Sequence, residues 1–398
     1  MGGFVEIGEL VFSVNAGAKF GYSLMWVMLL GTVGIIVYGE MAGRLAAVTR
    51  QPIFDVIRER TGFNTALGTM LAANLVSLLT CAAEIGGIAI ILRLLLGGPY
   101  RLLLLAACLF LLLSVWFLSF EFIERFFGLF GLLMVIFIIA AIYLHPNWGQ
   151  VATSLIPNVP ALESKQQYYS YAYFCVALLS SIMLPYETYF YASGAIEDRW
   201  EPKDIKMNRV IVVIGFTLGS LLAAALILIG AQMFLPVRLE PDLPGAVALG
   251  PAAVLGKAGL LVGLLGMFFA FSGAAVENAL TGAYNLAQFL GWPWGKFRGA
   301  TGAPRFTLAW IGMLALALVI VLTGVDPVQV VEYSIVFSVI ILPLTYLPLL
   351  MAASDKDVMG PFVNGRLAKT LGWFYLILIC VAALLAVPLL VISHGGKG

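Results

Sequence analysis

Ten apolar stretches, each about long enough to cross a lipid bilayer, constrain the fold of this chain most. A helix needs roughly 20 consecutive apolar residues to cross the hydrocarbon core. The ten stretches lie near 22–43, 64–97, 101–118, 122–144, 170–194, 208–235, 254–290, 306–324, 328–352 and 370–393. Only 11% of the residues are charged, whereas soluble domains carry about 25%. The sequence therefore predicts an all-α integral membrane protein.

A shorter apolar helix, at about 10–22, precedes these stretches. It is too short to cross roughly 30 Å of hydrocarbon. We expect the first helix to be truncated in this sequence, with further residues completing it in the native chain. Counting this half helix, the sequence predicts about eleven membrane helices.

The lysines and arginines predict how the chain is oriented. Of the 22 basic residues, fifteen fall in one set of alternate loops and seven in the other. The larger set comprises Arg44, Arg50, Arg58, Arg60, Arg125, Arg199, Lys203, Lys206, Arg209, Lys296, Arg298, Arg305, Lys356, Arg366 and Lys369. Cytoplasmic loops carry the excess of basic residues. We therefore expect a bacterial inner-membrane protein whose missing N-terminal part is cytoplasmic and whose C-terminus is extracytoplasmic.

Two interrupted helices mark the predicted functional centre. Pro185 and Glu187 stand in the middle of an apolar stretch, where proline breaks a helix and a carboxylate is costly. Near the start of the chain, Gly8 lies between Glu6 and Glu9, again at the opening of an apolar helix. Interrupted helices in corresponding halves of a hydrophobic chain point to the binding site of a transporter.

A short internal similarity supports two inverted repeats. Glu9–Phe12 parallels Glu187–Phe190, and five spans separate them, so the two stretches would enter the membrane with opposite polarity. We predict four parts: a first repeat at 1–144, an extracytoplasmic linker at 145–169, a second repeat at 170–352, and a last helix and tail at 353–398.

Three glutamates form a candidate cation site. Glu6 and Glu9 are three residues apart and share one face of a helix. Glu187 has the same relation to the half helix that follows Pro185. Three carboxylates at mid-membrane cannot all stay ionised without a cation or bound protons. The alternative is that Glu6 and Glu9 lie at a frayed, hydrated chain end and bind nothing.

Other polar residues within the spans have less certain roles. Glu84 and Glu277 are candidates for gating or proton relay, or are protonated acids bonded between helices. Tyr186 and Tyr191 are further gating candidates. Together with Tyr189 they could enclose an organic cation by cation–π contact, although packing alone also accounts for tyrosines here.

Several classes of protein are disfavoured. The two histidines lie outside the spans, and the four cysteines lack CxxC spacing. The sequence has no Ser–His pair within the spans that could serve catalysis and no nucleotide-binding loop, so we expect no enzyme and no cofactor. With 22 basic and 21 acidic residues, nothing predicts a nucleic-acid partner. The expected partners are the transported ion and the bilayer, and we expect a monomer.

The residues at these positions resemble motifs of the NRAMP family of proton-coupled divalent metal transporters. The stretch 16–26 is similar to the family's passage from first to second span, and 80–85 to its acidic third-span motif. The stretch 184–191 falls on its sixth-span Met-Pro-His motif. The resemblance covers nearly the whole chain. It implies a LeuT-type inverted repeat of five plus five helices, here with an eleventh.

The chain departs from the family's motifs at the site itself. The family's Asp-Pro-Gly-Asn falls on Glu6, Ile7, Gly8 and Glu9, and its metal-selective methionine falls on Leu184. Other motif residues fall as follows: the third-span aspartate on Cys81, the two histidines on Tyr186 and Tyr191, the tenth-span glutamine on Ser334 and the carbonyl ligand on Ser181.

These departures point towards a harder cation. Loss of the soft methionine and gain of carboxylates favours Mg²⁺ or Mn²⁺, and loss of the histidines and aspartate weakens proton coupling. By analogy, relatives that lack the methionine include magnesium transporters. We therefore predict a hard-divalent-cation transporter with metal ligands Glu6, Glu9, Ser181 and Glu187. The alternatives are a transporter of a small organic cation and a membrane protein that transports nothing.

Overall fold

The computed structural model describes residues 6–241 and 243–396, apart from the side chains of Phe120 and Glu124. The glycine-rich opening at 2–5 lies outside the described residues. The α-helices are α1 (Ile7–Phe20), α2 (Met25–Thr49), α3 (Ile53–Thr61), α4 (Phe63–Leu96), α5 (Tyr100–Phe117), α6 (Phe120–Gly131), α7 (Val135–Tyr143), α8 (Trp148–Thr153), α9 (Lys165–Ile182), α10 (Pro185–Glu197), α11 (Ile205–Ile229), α12 (Leu249–Leu290), α13 (Pro304–Leu322), α14 (Pro327–Ala353), α15 (Lys356–Met359) and α16 (Arg366–Ile392).

The predicted spans are confirmed. Within the described residues, ten helical segments are long and apolar enough to cross a membrane. Each overlaps one of the ten predicted stretches, because apolar runs of this length satisfy their backbone hydrogen bonds in lipid only as helices. The helix α9 begins at Lys165, inside the predicted linker 145–169, since the Ser164 side chain caps it by accepting a hydrogen bond from the Gln167 amide.

The predicted break separates α9 from α10. Met183 (φ −110°, ψ 46°) and Leu184 (φ −67°, ψ 134°) both leave the helical conformation. Pro185 then opens α10 at its first turn, where a missing amide hydrogen costs nothing and the fixed φ suits a helix. The broken span therefore consists of two half helices that meet inside the protein.

The half helix α1 packs directly on α11. A π-helical turn, Gly230–Phe234, continues α11. Gly17 of α1 lies so close to it that a Cβ atom there would overlap the Ile227 carbonyl and stand 2.9 Å from the Ala231 amide nitrogen. Such backbone contact is possible only where the interface residue has no side chain. α11 therefore fixes the position of α1.

The C-terminal ends of α1 and α16 lie together. The Lys19 ammonium is 2.6 Å from Glu240 and donates to the Gly396 carbonyl at 2.7 Å. Phe20 also packs edge-on against Tyr171 near the start of α9, with ring centroids 5.2 Å apart. These contacts place the ends of α1 and α16 and the beginning of α9 at one surface. The side of the membrane that this surface faces stays a prediction.

At the opposite surface, an ion pair joins α3 to the segment after α14. Arg60 and Asp355 are 2.6 Å apart and about a quarter exposed, and the Arg60 hydrogen bond lowers the pKa of Asp355. The stability that this pair contributes is present above the unfolded-state pKa of aspartate and is lost as the pH falls through the lower folded-state value. We expect Asp355→Asn to reduce the acid dependence of the melting temperature, measured in detergent. The exposed carboxylate Glu163, changed to Gln, serves as control and should leave that dependence unchanged.

Candidate cation site

Three of the four predicted ligands line one small cavity at the helix break. Glu9 lies in the first turn of α1, Glu187 in the first turn of α10, and Ser181 in the last turn of α9. The cavity has a volume of about 10 Å³, close to the least that holds one water molecule. Its lining is Glu9, Ser181, Ile182, Glu187, Phe216, Gly219 and Ser220.

The helix ends explain why carboxylates are tolerated here. The first turn of a helix carries unpaired amide hydrogens and a partial positive charge, which favours an acidic side chain. The last turn of α9 has unpaired carbonyls instead, including that of Ser181. The Ser181 hydroxyl donates to the Leu178 carbonyl at 3.0 Å. Two half-helix N-termini and one C-terminus therefore present only oxygen ligands to the cavity.

Among the described residues, no salt bridge involves either carboxylate of the cavity. The carboxylates of Glu9 and Glu187 line the same small cavity, so they would repel each other if both were ionised. The Glu187 Oε2 atom is buried and accepts no hydrogen bond from the described residues. A buried carboxylate oxygen without a partner is costly. A cation between these two side chains would relieve both the repulsion and the missing contact.

Glu6, the fourth predicted ligand, is not among the residues that line this cavity. Glu6 and Glu9 are only 3% and 5% exposed, which argues against the alternative of a hydrated chain end. Within the described residues, no three His, Cys, Asp or Glu side chains meet closely enough to hold one metal ion. The role of Glu6 as a ligand stays a prediction.

The two relay candidates occupy different surroundings. The Glu84 Oε1 atom accepts a hydrogen bond from the Ile7 amide at 2.8 Å. Glu277 lines a separate cavity of about 260 Å³ with Asp198, Lys296 and Tyr191. We call this the α10-side cavity, because it lies beside the C-terminal part of α10. Neither carboxylate lines the small cavity of Glu9 and Glu187.

The three tyrosines do not enclose a common space. Tyr186 is buried, and its hydroxyl makes no hydrogen bond with the described residues. The Tyr189 hydroxyl shares a hydrogen bond with Thr345, and the Tyr191 hydroxyl donates to Asn208 at 2.7 Å. Two of the three hydroxyls therefore bond to other helices, as the packing interpretation expects.

Sequence reasoning missed the contribution of α11. Phe216, Gly219 and Ser220 line the cavity, and a glycine–serine pair inside an apolar span was the only available signal. Ser334, where the family's glutamine falls, bonds instead to the Thr80 hydroxyl at 2.5 Å. Met183 packs against α2. Its sulfur lies so close to Gly34 that a Cβ atom on Gly34 would overlap it.

Within the described residues, ten potential membrane spans, one of them broken into the half helices α9 and α10 beside buried carboxylates, are the features of a multi-pass membrane transporter. The family model "Natural resistance-associated macrophage protein-like" (Nramp) matches residues 1–388. The chain therefore belongs to the Nramp family, as the motifs predicted, and not to a family of enzymes.

Relatives and solved structures agree with this assignment. The chain is 25% identical to the "Divalent metal cation transporter MntH" of Latilactobacillus sakei, over 95% of this chain and 84% of the relative. A crystal structure of the Eremococcus coleocola manganese transporter superposes with a TM-score of 0.81 at 21% identity, covering 99% of this chain and 89% of that one.

Mhp1, a nucleobase-cation-symport-1 family transporter, superposes with a TM-score of 0.61 at 14% identity, over 100% of this chain and 90% of that chain. These structural matches confirm the predicted LeuT-type fold.

Proposed function

We propose that this protein carries a hard divalent cation, Mg²⁺ or Mn²⁺, across the bacterial inner membrane by alternating access. The observation that carries the proposal is the water-sized cavity shared by Glu9, Ser181 and Glu187 at the helix break. Relatives that match nearly the whole chain are named divalent metal cation transporters. We propose that this cavity corresponds to the ion site of those transporters.

The ligand atoms support a hard ion. Carboxylate, carbonyl and water oxygens suit Mg²⁺ and Mn²⁺, whereas thiolate and thioether sulfur selects softer metals. The position of the family's methionine is occupied by Leu184, which is fully buried and has no donor atom. Mg²⁺ is often held by one or two carboxylates, with water completing its shell. Glu9 and Glu187 meet that requirement without Glu6.

Cavities on both sides of the site support alternating access. One, of about 270 Å³, lies beside the C-terminal part of α1 and is lined by Asn15, Lys19 and Glu240. We call it the α1-side cavity. Below it, Phe12 packs edge-on against Phe174 at 5.9 Å between centroids. Since α1 and α10 run from the break to opposite surfaces, this cavity and the α10-side cavity provide one vestibule each.

The membrane potential is the proposed driving force. A divalent ion that enters an inside-negative cell gains about 4.6 kcal/mol at 100 mV. Cys81 occupies the position of the family's third-span aspartate, and its thiol contacts the Ala275 carbonyl at 3.6 Å. Tyr186 and Tyr191 replace histidines, which are the side chains that titrate near neutral pH. Proton coupling is accordingly proposed to be weak or absent.

The size of the cavity separates this proposal from the organic-cation alternative. That alternative requires a larger space enclosed by tyrosines. The space between Glu9 and Glu187 is about 10 Å³, and of the described residues that line it, none is a tyrosine. The cavity therefore favours a metal ion over an organic ammonium ion.

We expect Leu184→Met to raise the affinity for Cd²⁺ about tenfold, because the change supplies a soft sulfur ligand at the helix break, at the N-cap of α10. Calorimetric titration of purified protein with Mg²⁺, Mn²⁺ and Cd²⁺ measures this and tests the function itself. Leu178→Met, six residues earlier and inside α9, is the matched control and should change no affinity. Saturable binding of Mg²⁺ or Mn²⁺ by the wild type supports the proposal, and binding of no metal would overturn it.

A further inference from the structure

The two half helices begin differently. Pro185 opens α10 and has no amide hydrogen to satisfy. Ile7 opens α1 at the corresponding position, where its amide hydrogen has no partner within the helix. The preceding residue, Glu6, makes no capping hydrogen bond with its side chain. An amide hydrogen left unpaired inside the membrane is costly, so α1 needs a cap from elsewhere.

Glu84 supplies that cap from another helix. Its Oε1 atom accepts the Ile7 amide hydrogen at 2.8 Å, and the bond is buried. Gly87, one turn further along α4, also faces Ile7, because a Cβ atom there would stand 2.8 Å from the Ile7 Cδ1 atom. One face of α4 therefore holds the first residue of α1 by a hydrogen bond and by packing.

We propose that Glu84 is a positioning residue that caps α1 and thereby keeps Glu9 at the ion cavity. Ile7 is the first helical residue and Glu9 the third, so the capped turn is the turn that carries Glu9. The ion-affinity part of this inference rests on the proposed function, whereas the cap itself does not. Capping requires only an acceptor oxygen, so this role is separate from the gating or relay role predicted for Glu84.

Substituting Glu84 by glutamine or by alanine distinguishes the effect of the capping oxygen from the effect of the negative charge. Glu84→Gln keeps an acceptor oxygen in place and removes the charge, whereas Glu84→Ala removes both. We expect the affinity for Mg²⁺ or Mn²⁺ to fall about tenfold in Glu84→Ala and to stay within about twofold in Glu84→Gln. Equal losses in both variants would show that the charge matters, and would overturn the proposal.

Removing the amide hydrogen of Ile7, the donor in this bond, provides the matched test of the cap. Ile7→Pro deletes the amide hydrogen, and Glu6 already has the extended conformation (φ −102°, ψ 169°) that a following proline favours. In the Ile7→Pro background, Glu84→Ala should change ion affinity by less than about twofold. In Ile7→Ala, which loses the side chain but keeps the donor, Glu84→Ala should retain its full effect. The same loss in both backgrounds would refute the cap.

Hydrogen exchange of α1 tests the cap without any metal. Because the cap holds the first turn, we expect peptides covering 6–20 to exchange faster in Glu84→Ala and at the wild-type rate in Glu84→Gln. Unchanged exchange in Glu84→Ala would overturn the proposal even if ion affinity fell. If the wild type bound no metal, the proposed function would fail, and the exchange experiment would still decide whether Glu84 caps α1.

Discussion

Glu187→Gln is expected to weaken Mg²⁺ and Mn²⁺ binding at least about 100-fold, which in a calorimetric titration abolishes saturable heat. The substitution preserves shape and removes one of the two carboxylates that line the cavity. Losing one partner of a buried charge interaction costs about 2–5 kcal/mol, and about 2.7 kcal/mol corresponds to 100-fold. The α1-side and α10-side cavities are left intact, so the protein should fold normally.

A control distinguishes the loss of an ion ligand at the site from a general effect of removing one negative charge. Glu163 is exposed and lies in the linker before α9, so Glu163→Gln should bind ions as the wild type does. If Glu187→Gln retained wild-type affinity, the ion would bind elsewhere. Glu6 and Tyr186, which lie near each other outside the cavity, would then become the residues to change.

Gly17→Ala is expected to have the largest effect on stability. A methyl group at this position would overlap the Ile227 carbonyl and approach the Ala231 amide nitrogen to 2.9 Å. Both atoms belong to backbone that cannot rotate away, so α1 would have to leave α11. Overpacking of this kind costs about 3 kcal/mol or more. We expect a lower melting temperature and a loss of monodisperse protein in detergent, measured by fluorescence-detected size exclusion.

Gly312→Ala is the matched control for this substitution. Gly312 lies in α13, and a Cβ atom there would meet nothing within 4 Å. Its melting temperature should equal or slightly exceed that of the wild type, because alanine favours a helix more than glycine does. A Gly17→Ala protein with wild-type melting and elution would contradict the close packing of α1 on α11.

Hydropathy and proline placement account for what the sequence could predict. The spans follow from apolar runs that only a helix can satisfy in lipid, and the break follows from Pro185, which cannot continue α9. Glu9 and Glu187 are predicted because each opens a half helix, and Ser181 because the family's carbonyl ligand falls on it; the structure places all three on one cavity. Their action as ligands stays a prediction.

Contacts between distant helices could not be predicted. Spacing grouped Glu6 with Glu9, but of these two only Glu9 is among the residues that line the cavity. The bond from Ile7 to Glu84 joins residues 77 positions apart, and no local pattern specifies it. Likewise Ser220 reaches the cavity only because Gly17 and Gly230 let α1 and α11 approach closely. Each of these contacts depends on tertiary packing and not on the local sequence.

Uptake into proteoliposomes tests the central claim most directly. Wild-type protein would be reconstituted with a Mg²⁺- or Mn²⁺-sensitive dye and a pH-sensitive dye inside the vesicles, under an inside-negative potassium potential. We expect saturable ion uptake that increases with the potential, disappears in Glu187→Gln and leaves the internal pH unchanged. Absence of Mg²⁺ and Mn²⁺ uptake, or internal acidification in proportion to the ion carried, would contradict the account.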